Sequence, residues 1–289
     1  MRLRALWMAL AGMAVLIACW EGYIALGEAT DGTVLGFDLP ARYDKSAMPH
    51  VWNVVTRFGD QAVAGRPGTV GSAVLAACWY TFRVSMVGLL IGVAGGMLVA
   101  LVMQRWRLAE KALLPYVIIS QTIPLIVLAP VLNAWSGQLS VGPIEWQRWY
   151  NLAIIAAYLA YYPVAIGALR GLQSPKEHHV ELMDSMAASG TATMFKLRLP
   201  AAVPYILPAL RLSAASAIVG TIVAEISIGG SGIGRLIIDY FQRSTGDATN
   251  IAAAVLGAAL LGLVVAALVS AFEWTVMRNR QRDAMSEMA

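Results

Sequence analysis

The residues able to do covalent chemistry are few and poorly placed for it. His178 and His179 are adjacent, and neighbours on a helix cannot face one metal ion. No carboxylate or third histidine joins them at ligand spacing, so they read as surface residues. Cys19 and Cys78 lack metal-motif spacing, and Cys19 sits inside an apolar run, which disfavours a disulfide. Gly229-Gly230-Ser231-Gly232-Ile233-Gly234 is glycine-rich, but it lacks the lysine of a phosphate loop and does not fit the dinucleotide fingerprint. No converging set of nucleophile, base and metal ligands is visible, so no catalytic or metal-binding residue is expected and the chain is not expected to be an enzyme. Polar residues embedded in apolar runs are the better candidates: Gln121, Thr122, Tyr158, Ser216 and Glu225. In hydrocarbon each must either hydrogen-bond to another helix or line a path for a polar solute, and both readings stay open. Glu225 lies near the end of its run, where a gate and a structural pairing with Arg83 or Arg235 are equally good explanations.

Those polar residues are carried by a chain that is mostly oil. Of 289 residues, 58% are hydrophobic and only 13% charged, against about 25% charged in soluble domains. Several apolar runs approach or exceed the ~18–20 residues that cross a bilayer. Six are expected, over residues 6–26, 80–103, 112–135, 150–169, 205–228 and 251–277. The start resembles a lipoprotein signal, with Arg2, Arg4 and Leu16-Ile17-Ala18-Cys19, but a retained first helix accounts for the same pattern. In the second run Gly88, Gly92 and Gly96 recur at helical spacing and allow close approach of another backbone. The third is interrupted by Pro115, Pro124 and Pro130, tolerable where neighbouring helices or a cavity satisfy freed carbonyls. Trp135, Trp146, Trp149 and Tyr150 edge a loop, as aromatics do at a membrane interface. The stretches 27–67 and 229–250 are too polar to cross and read as loops, the first partly folded on Trp52 and Phe58.

Positive charges orient the spans. With both termini in the cytoplasm, the short inside segments hold Arg2, Arg4, Arg105, Arg107, Lys111, Arg170, Lys176, Lys196, Arg198, Arg278, Arg280 and Arg282. The net charge of +4 is therefore topological, and no basic stretch of the kind that tracks nucleic-acid phosphates is present. The polar segment 170–204 then falls in the cytoplasm. Met183, Met186, Met194, Phe195 and Leu197 place apolar points among polar ones, and Ser185 or Ser189 can cap a helix start. Such an amphipathic helix either lies on the headgroups or docks into a groove of a soluble partner.

The segment resembles the cytoplasmic loop of permease subunits of binding-protein-dependent ABC importers. In that family a Glu-Ala-Ala run leads to a glycine and later to Leu-Pro. Glu181-Leu182-Met183-Asp184-Ser185-Met186-Ala187-Ala188-Ser189 keeps that register, and Leu199-Pro200 supplies its end. Leu182 and Met183 replace the two alanines, and Ala187 replaces the glycine, with less backbone freedom; Gly190 sits three residues late. The resemblance extends to Thr81-Phe82-Arg83-Val84, Gln121-Thr122-Ile123-Pro124, Leu128-Ala129-Pro130, Tyr161-Tyr162-Pro163, Val223-Ala224-Glu225 and Gly232-Ile233-Gly234. These look like the branch importing nitrate, sulfonates, taurine and pyrimidine- or riboflavin-type compounds.

The resemblance implies an all-α membrane protein of about six transmembrane helices with the type I importer fold and a coupling helix between helices four and five. It implies a first transmembrane helix over 1–26, a periplasmic insert over 27–79, a permease core over 80–277 with its coupling loop at 170–204, and a cytoplasmic tail over 278–289. ATPase coupling falls to Glu181, Asp184, Ser185, Met186, Ala187, Ala188, Ser189, Gly190, Met194 and Phe195, with Leu199 and Pro200 ending that segment and redirecting the chain. The implied partners are two cytoplasmic ATPase subunits holding ATP and Mg, a second permease chain (identical or related), a periplasmic substrate-binding protein and the bacterial inner membrane. A secondary transporter driven by an ion gradient is the competing expectation, although neither an internal repeat nor midplane charge marks one. A membrane enzyme and a non-transporting scaffold fit less well.

Overall fold

The computed structural model describes residues 2–34, 37–38, 42–43, 47–62, 67–137, 140–141, 144–243 and 248–286. Parts of the expected insert, of the loop before the last span and of the tail lie outside the described residues, as do the side chains of Arg2, Arg4, Arg280 and Arg282. The fold is helical, with two antiparallel hairpins of two-residue strands, β1 (Thr33–Val34) with β2 (Phe37–Asp38) and β3 (Ser140–Val141) with β4 (Ile144–Glu145). The helices are α1 (Arg2–Ala29), α2 (Val51–Arg57), α3 (Val70–Arg105), α4 (Arg107–Ser120), α5 (Leu125–Ser136), α6 (Arg148–Leu172), α7 (Glu177–Ser185), α8 (Gly190–Thr193), α9 (Leu199–Ile228), α10 (Ile233–Arg243) and α11 (Thr249–Ser286). Among the described residues five helices are long and apolar enough to cross a membrane, and α4 with α5, bent by 99°, makes a sixth if the pair is one broken span.

Two compact units divide the chain: Met1–Ala77 with Leu236–Gly257, and Cys78–Arg235 with Ala258–Ala289. In the first, Glu21 of α1 accepts from the Val51 N–H at 2.7 Å and meets His50 Nδ1 at 2.7 Å, so a carboxylate sits at the N-terminus of α2, where the helix dipole favours it. Trp20 Nε1 donates to the Pro49 carbonyl (3.1 Å) and Arg57 Nε to Asn250 Oδ1 (2.8 Å).

The second unit is organised around α6. Alanine dominates this helix, and Leu152, Ile155, Ala160, Val164, Ala168 and Leu172 are all fully buried. A helix apolar on every side belongs in the middle of a bundle. The glycine stripe of α3 lies against it: a Cβ on Gly92 would come within 2.8 Å of the Ala157 carbonyl. On another side α9 packs as closely, since a Cβ on Gly171 would stand 2.8 Å from Ala202 Cα. Small residues thus draw three helix backbones together, the way membrane helices associate without a hydrophobic drive.

Several boundaries differ from expectation. The second span begins at Val70 rather than Tyr80, because the apolar run Val74 to Trp79 continues the helix. The supposed loop 229–250 contains α10. The third span is not one helix but two, since Pro124 ends the hydrogen-bond ladder and restarts it as the N-cap of α5, whereas Pro115 and Pro130 stay inside their helices. Leu199-Pro200 does not end the polar segment or turn the chain; helix runs on from Gly190 to Ile228. Met194–Arg198 winds as a π-turn, with the Leu199 N–H bonded to the Met194 carbonyl. That wider turn makes room for the Pro200 ring, which in an α-helix would press on the carbonyl four residues back.

Candidate functional site

Three places in the second unit carry polar or exposed groups out of keeping with their surroundings. The first is at the C-terminal end of α9. Glu225 is fully buried. Thr81 Oγ1 donates to its carboxylate at 2.9–3.0 Å and the Gly234 N–H at 2.9 Å, while Thr81 Oγ1 itself accepts from the Ile233 N–H at 2.9 Å. The hydrogen-bond partners of Glu225 among the described residues are a hydroxyl and one backbone amide, rather than the Arg83 or Arg235 pairing that the sequence allowed. The glycine run is shaped for this carboxylate. Gly229 and Gly230 take φ of +80° and +150°, and a Cβ on Gly232 would overlap the Glu225 carboxylate. A buried acid is tolerated when hydrogen bonds offset its burial, and here each carboxylate oxygen accepts one.

The second place is the break between α4 and α5. Tyr158 of α6 donates to the Ser120 carbonyl, and Tyr161 hydrogen-bonds the Ser120 hydroxyl. Gln121 follows Ser120, and its Nε2 is buried with no hydrogen-bond partner among the described residues. Thr122 is exposed and donates to the Ile119 carbonyl at 2.8 Å. Thus Gln121, Thr122 and Tyr158 stand together, joined by Tyr161, which the sequence reading did not single out as polar. Ser216 is on α9 and does not join this cluster by any hydrogen bond. A further pair went unread: Arg211 of α9 and Glu273 of α11 form an ion pair.

The third place is the polar segment. It is not one helix. α7 closes with the Ala188 N–H bonded to the Met183 carbonyl (3.0 Å) and the Ala187 N–H to the Asp184 carbonyl (2.9 Å), the paired bonds of a Schellman cap. The residue that must be left-handed in this cap is Ala187, at φ +54°. Ser189 then caps α8, accepting from the Ala192 N–H at 3.2 Å. Glu181, Asp184, Ser185, Ala187, Ser189 and Gly190 are exposed, Ala188 and Met194 half-buried. The large apolar side chains are the anomaly: Leu182, Met186 and Phe195 are 58%, 70% and 69% exposed. Leu182 was not foreseen as part of the site, although its four-residue spacing from Met186 puts both on one helical face.

Residues 92–277 match the family described as binding-protein-dependent transport system inner membrane component, over more than half of the chain. The chain belongs to this family. It is a permease of an ABC importer for small solutes, a multi-pass protein of the inner membrane. The permease is 28% identical over 206 residues to the formylaminopyrimidine transport permease protein ThiX of Halalkalibacterium halodurans, covering 70% of this chain and 77% of that one. It is 30% identical to a probable ABC transporter permease protein of Haemophilus influenzae, covering 66% and 72%. Among solved structures, an amino acid ABC transporter aligns at TM-score 0.56 and 18% identity, over 70% of this permease and 94% of that chain. That likeness is one of fold, the type I importer fold.

Proposed function

We propose that this permease moves a small solute inward on force supplied by two cytoplasmic ATPase subunits, and that residues 177–198 are its coupling segment. The observation that carries the reading is the exposure of Leu182, Met186 and Phe195 on a polar segment whose second helix, α8, runs unbroken into α9. Exposed large apolar groups clustered on a short polar segment fit the groove of a soluble partner, Met and Phe being adaptable anchors. Glu181 and Asp184 border these anchors and supply polar contacts. Because the helix continues through the π-turn, a push on α8 is delivered to α9. ATP and Mg belong to the ATPase subunits, whose closure on ATP favours the outward-open state; a periplasmic binding protein then delivers solute, and hydrolysis resets the pair of permease chains. Both termini lie in the cytoplasm on this reading, in accord with the arginines and lysines of the short segments. The solute belongs with the small polar compounds of the relatives, formylaminopyrimidine among them.

The test is affinity purification in mild detergent, comparing wild type with Glu181→Arg plus Met186→Asp. An ATPase subunit should accompany the wild type and be lost from the variant, while both elute as one monodisperse species. Absence of any ATPase under every nucleotide condition overturns the reading in favour of a gradient-driven carrier.

A further inference from the structure

With α4 and α5 taken as one broken span, the break between them falls at bilayer depth. α4 has 14 residues and α5 has 12, which at 1.5 Å per residue is ~21 Å and ~18 Å, each short of the ~30 Å hydrocarbon core. Tyr161, bonded at the break, is the middle of the 25-residue α6. Non-helical backbone at this depth is tolerated only where protein buries it or where it lines water. This chain does not bury it: Thr122, Ile123 and Pro124 are all exposed. Beside the bend are four hydroxyls, of Ser120, Thr122, Tyr158 and Tyr161, and the amide of Gln121. Ser120 is occupied by both tyrosines, but Gln121 Nε2 is a buried donor with no acceptor. An unsatisfied donor at such a site carries a cost that an arriving acceptor removes.

We infer that this break lines the water-filled path and that Gln121 is a solute-contacting residue, donating to a hydrogen-bond acceptor on the solute: a carbonyl, a ring nitrogen or an oxyanion. Tyr158, on the Ser120 carbonyl, and Tyr161, on its hydroxyl, are positioning residues that hold Ser120 so that the amide stays in place. The inference rests on the transport reading above, but it needs no ATPase for its test.

Cys19→Ala and Cys78→Ala provide a background for single cysteines. Thr122→Cys is compared with Leu98→Cys, which is 63% exposed on the apolar surface of α3. Both side chains are exposed on this chain and tolerate the change. Membrane vesicles of each orientation are treated with a charged thiol reagent, alone and with millimolar formylaminopyrimidine or nitrate. Only thiolate reacts, and hydrocarbon suppresses it, so the Thr122 site should react at least ~tenfold faster than the Leu98 site. One or both probes should slow it, identifying a neutral heterocycle or an oxyanion as the better acceptor. Adding Gln121→Leu should abolish that protection, and Gln121→Asn should retain part of it. Equal reactivity at the two sites overturns the water-lined break. Fast reaction that neither probe slows, or protection that survives Gln121→Leu, overturns the role of Gln121. If the thiol results hold while no ATPase co-purifies, the path stands and the energy source is what fails.

Discussion

The two ends of α9 invert the usual sorting of side chains in opposite ways. At one end a carboxylate, Glu225, is fully buried and its oxygens are filled by Thr81 and Gly234. At the other, Met186 and Phe195 are apolar and mostly exposed. Burying an acid is costly unless hydrogen bonds offset it, and the first end supplies a donor to each oxygen from within the chain. Exposing large apolar groups together is the mark of an interaction surface, so the second end is incomplete alone. On the coupling reading proposed above, one helix is thus anchored at one end and open to a partner at the other. Substitutions at the closed end should therefore act on stability, and those at the open end on association.

The largest expected effect tests the closed end. Gly232→Ala puts a methyl where the Glu225 carboxylate lies, and overpacking of this kind should cost about 3 kcal/mol. The loss should appear as a lowered thermal unfolding midpoint in detergent. Thr81→Val keeps the shape but strands the Ile233 N–H and removes a donor from Glu225. Two buried groups losing partners should cost about 2 kcal/mol in the same assay. A stability unchanged in both variants would mean that the carboxylate is not confined there. At the open end the pattern should reverse. Phe195→Ala should leave the midpoint unmoved and weaken ATPase association by about 1–2 kcal/mol, as truncating an interface anchor does. A binding titration with the purified ATPase reads this directly, and a large drop in midpoint instead would place Phe195 in the core.

Much of the architecture was legible because length and apolarity decide which segments cross a bilayer, and no distant partner is needed to see that. α10 was equally legible and was passed over: Ile233, Leu236, Ile237, Tyr240 and Phe241 recur at helical spacing, but in a stretch read only as too polar to span. The glycine run was weighed for phosphates and dismissed, while its use against Glu225 depends on Thr81, 144 positions away from that acid, which no local pattern reveals. Leu199-Pro200 misled for a different reason. The rule that a residue before proline leaves helical geometry is a local tendency, and Leu199 stays helical, at φ −63° and ψ −46°, because the π-turn at Met194–Arg198 makes room for the Pro200 ring against the carbonyl four residues back. At the break, Gln121, Thr122 and Tyr158 were readable as polar residues in apolar runs, but their meeting around Ser120 follows from a 99° bend that the prolines only hint at.

The smallest effect concerns Ala187, and it separates backbone strain from docking. In the family pattern that the segment resembles this position is glycine, and here its φ of +54° closes the cap of α7. A left-handed conformation costs a residue with a Cβ about 1–2 kcal/mol. Glycine removes that cost but loses about 0.4–1 kcal/mol through the freer unfolded chain. Ala187→Gly should therefore stabilise α7 by a net ~0.5–1 kcal/mol. Hydrogen exchange of the Ala188 amide, which bonds to the Met183 carbonyl, should slow a few-fold. Because Leu182, Met186 and Phe195 keep their exposure, ATPase association should stay constant or tighten slightly through pre-organisation. Faster exchange at that amide would mean that the left-handed turn forms only against a partner, and that the open end of α9 is shaped by what docks there.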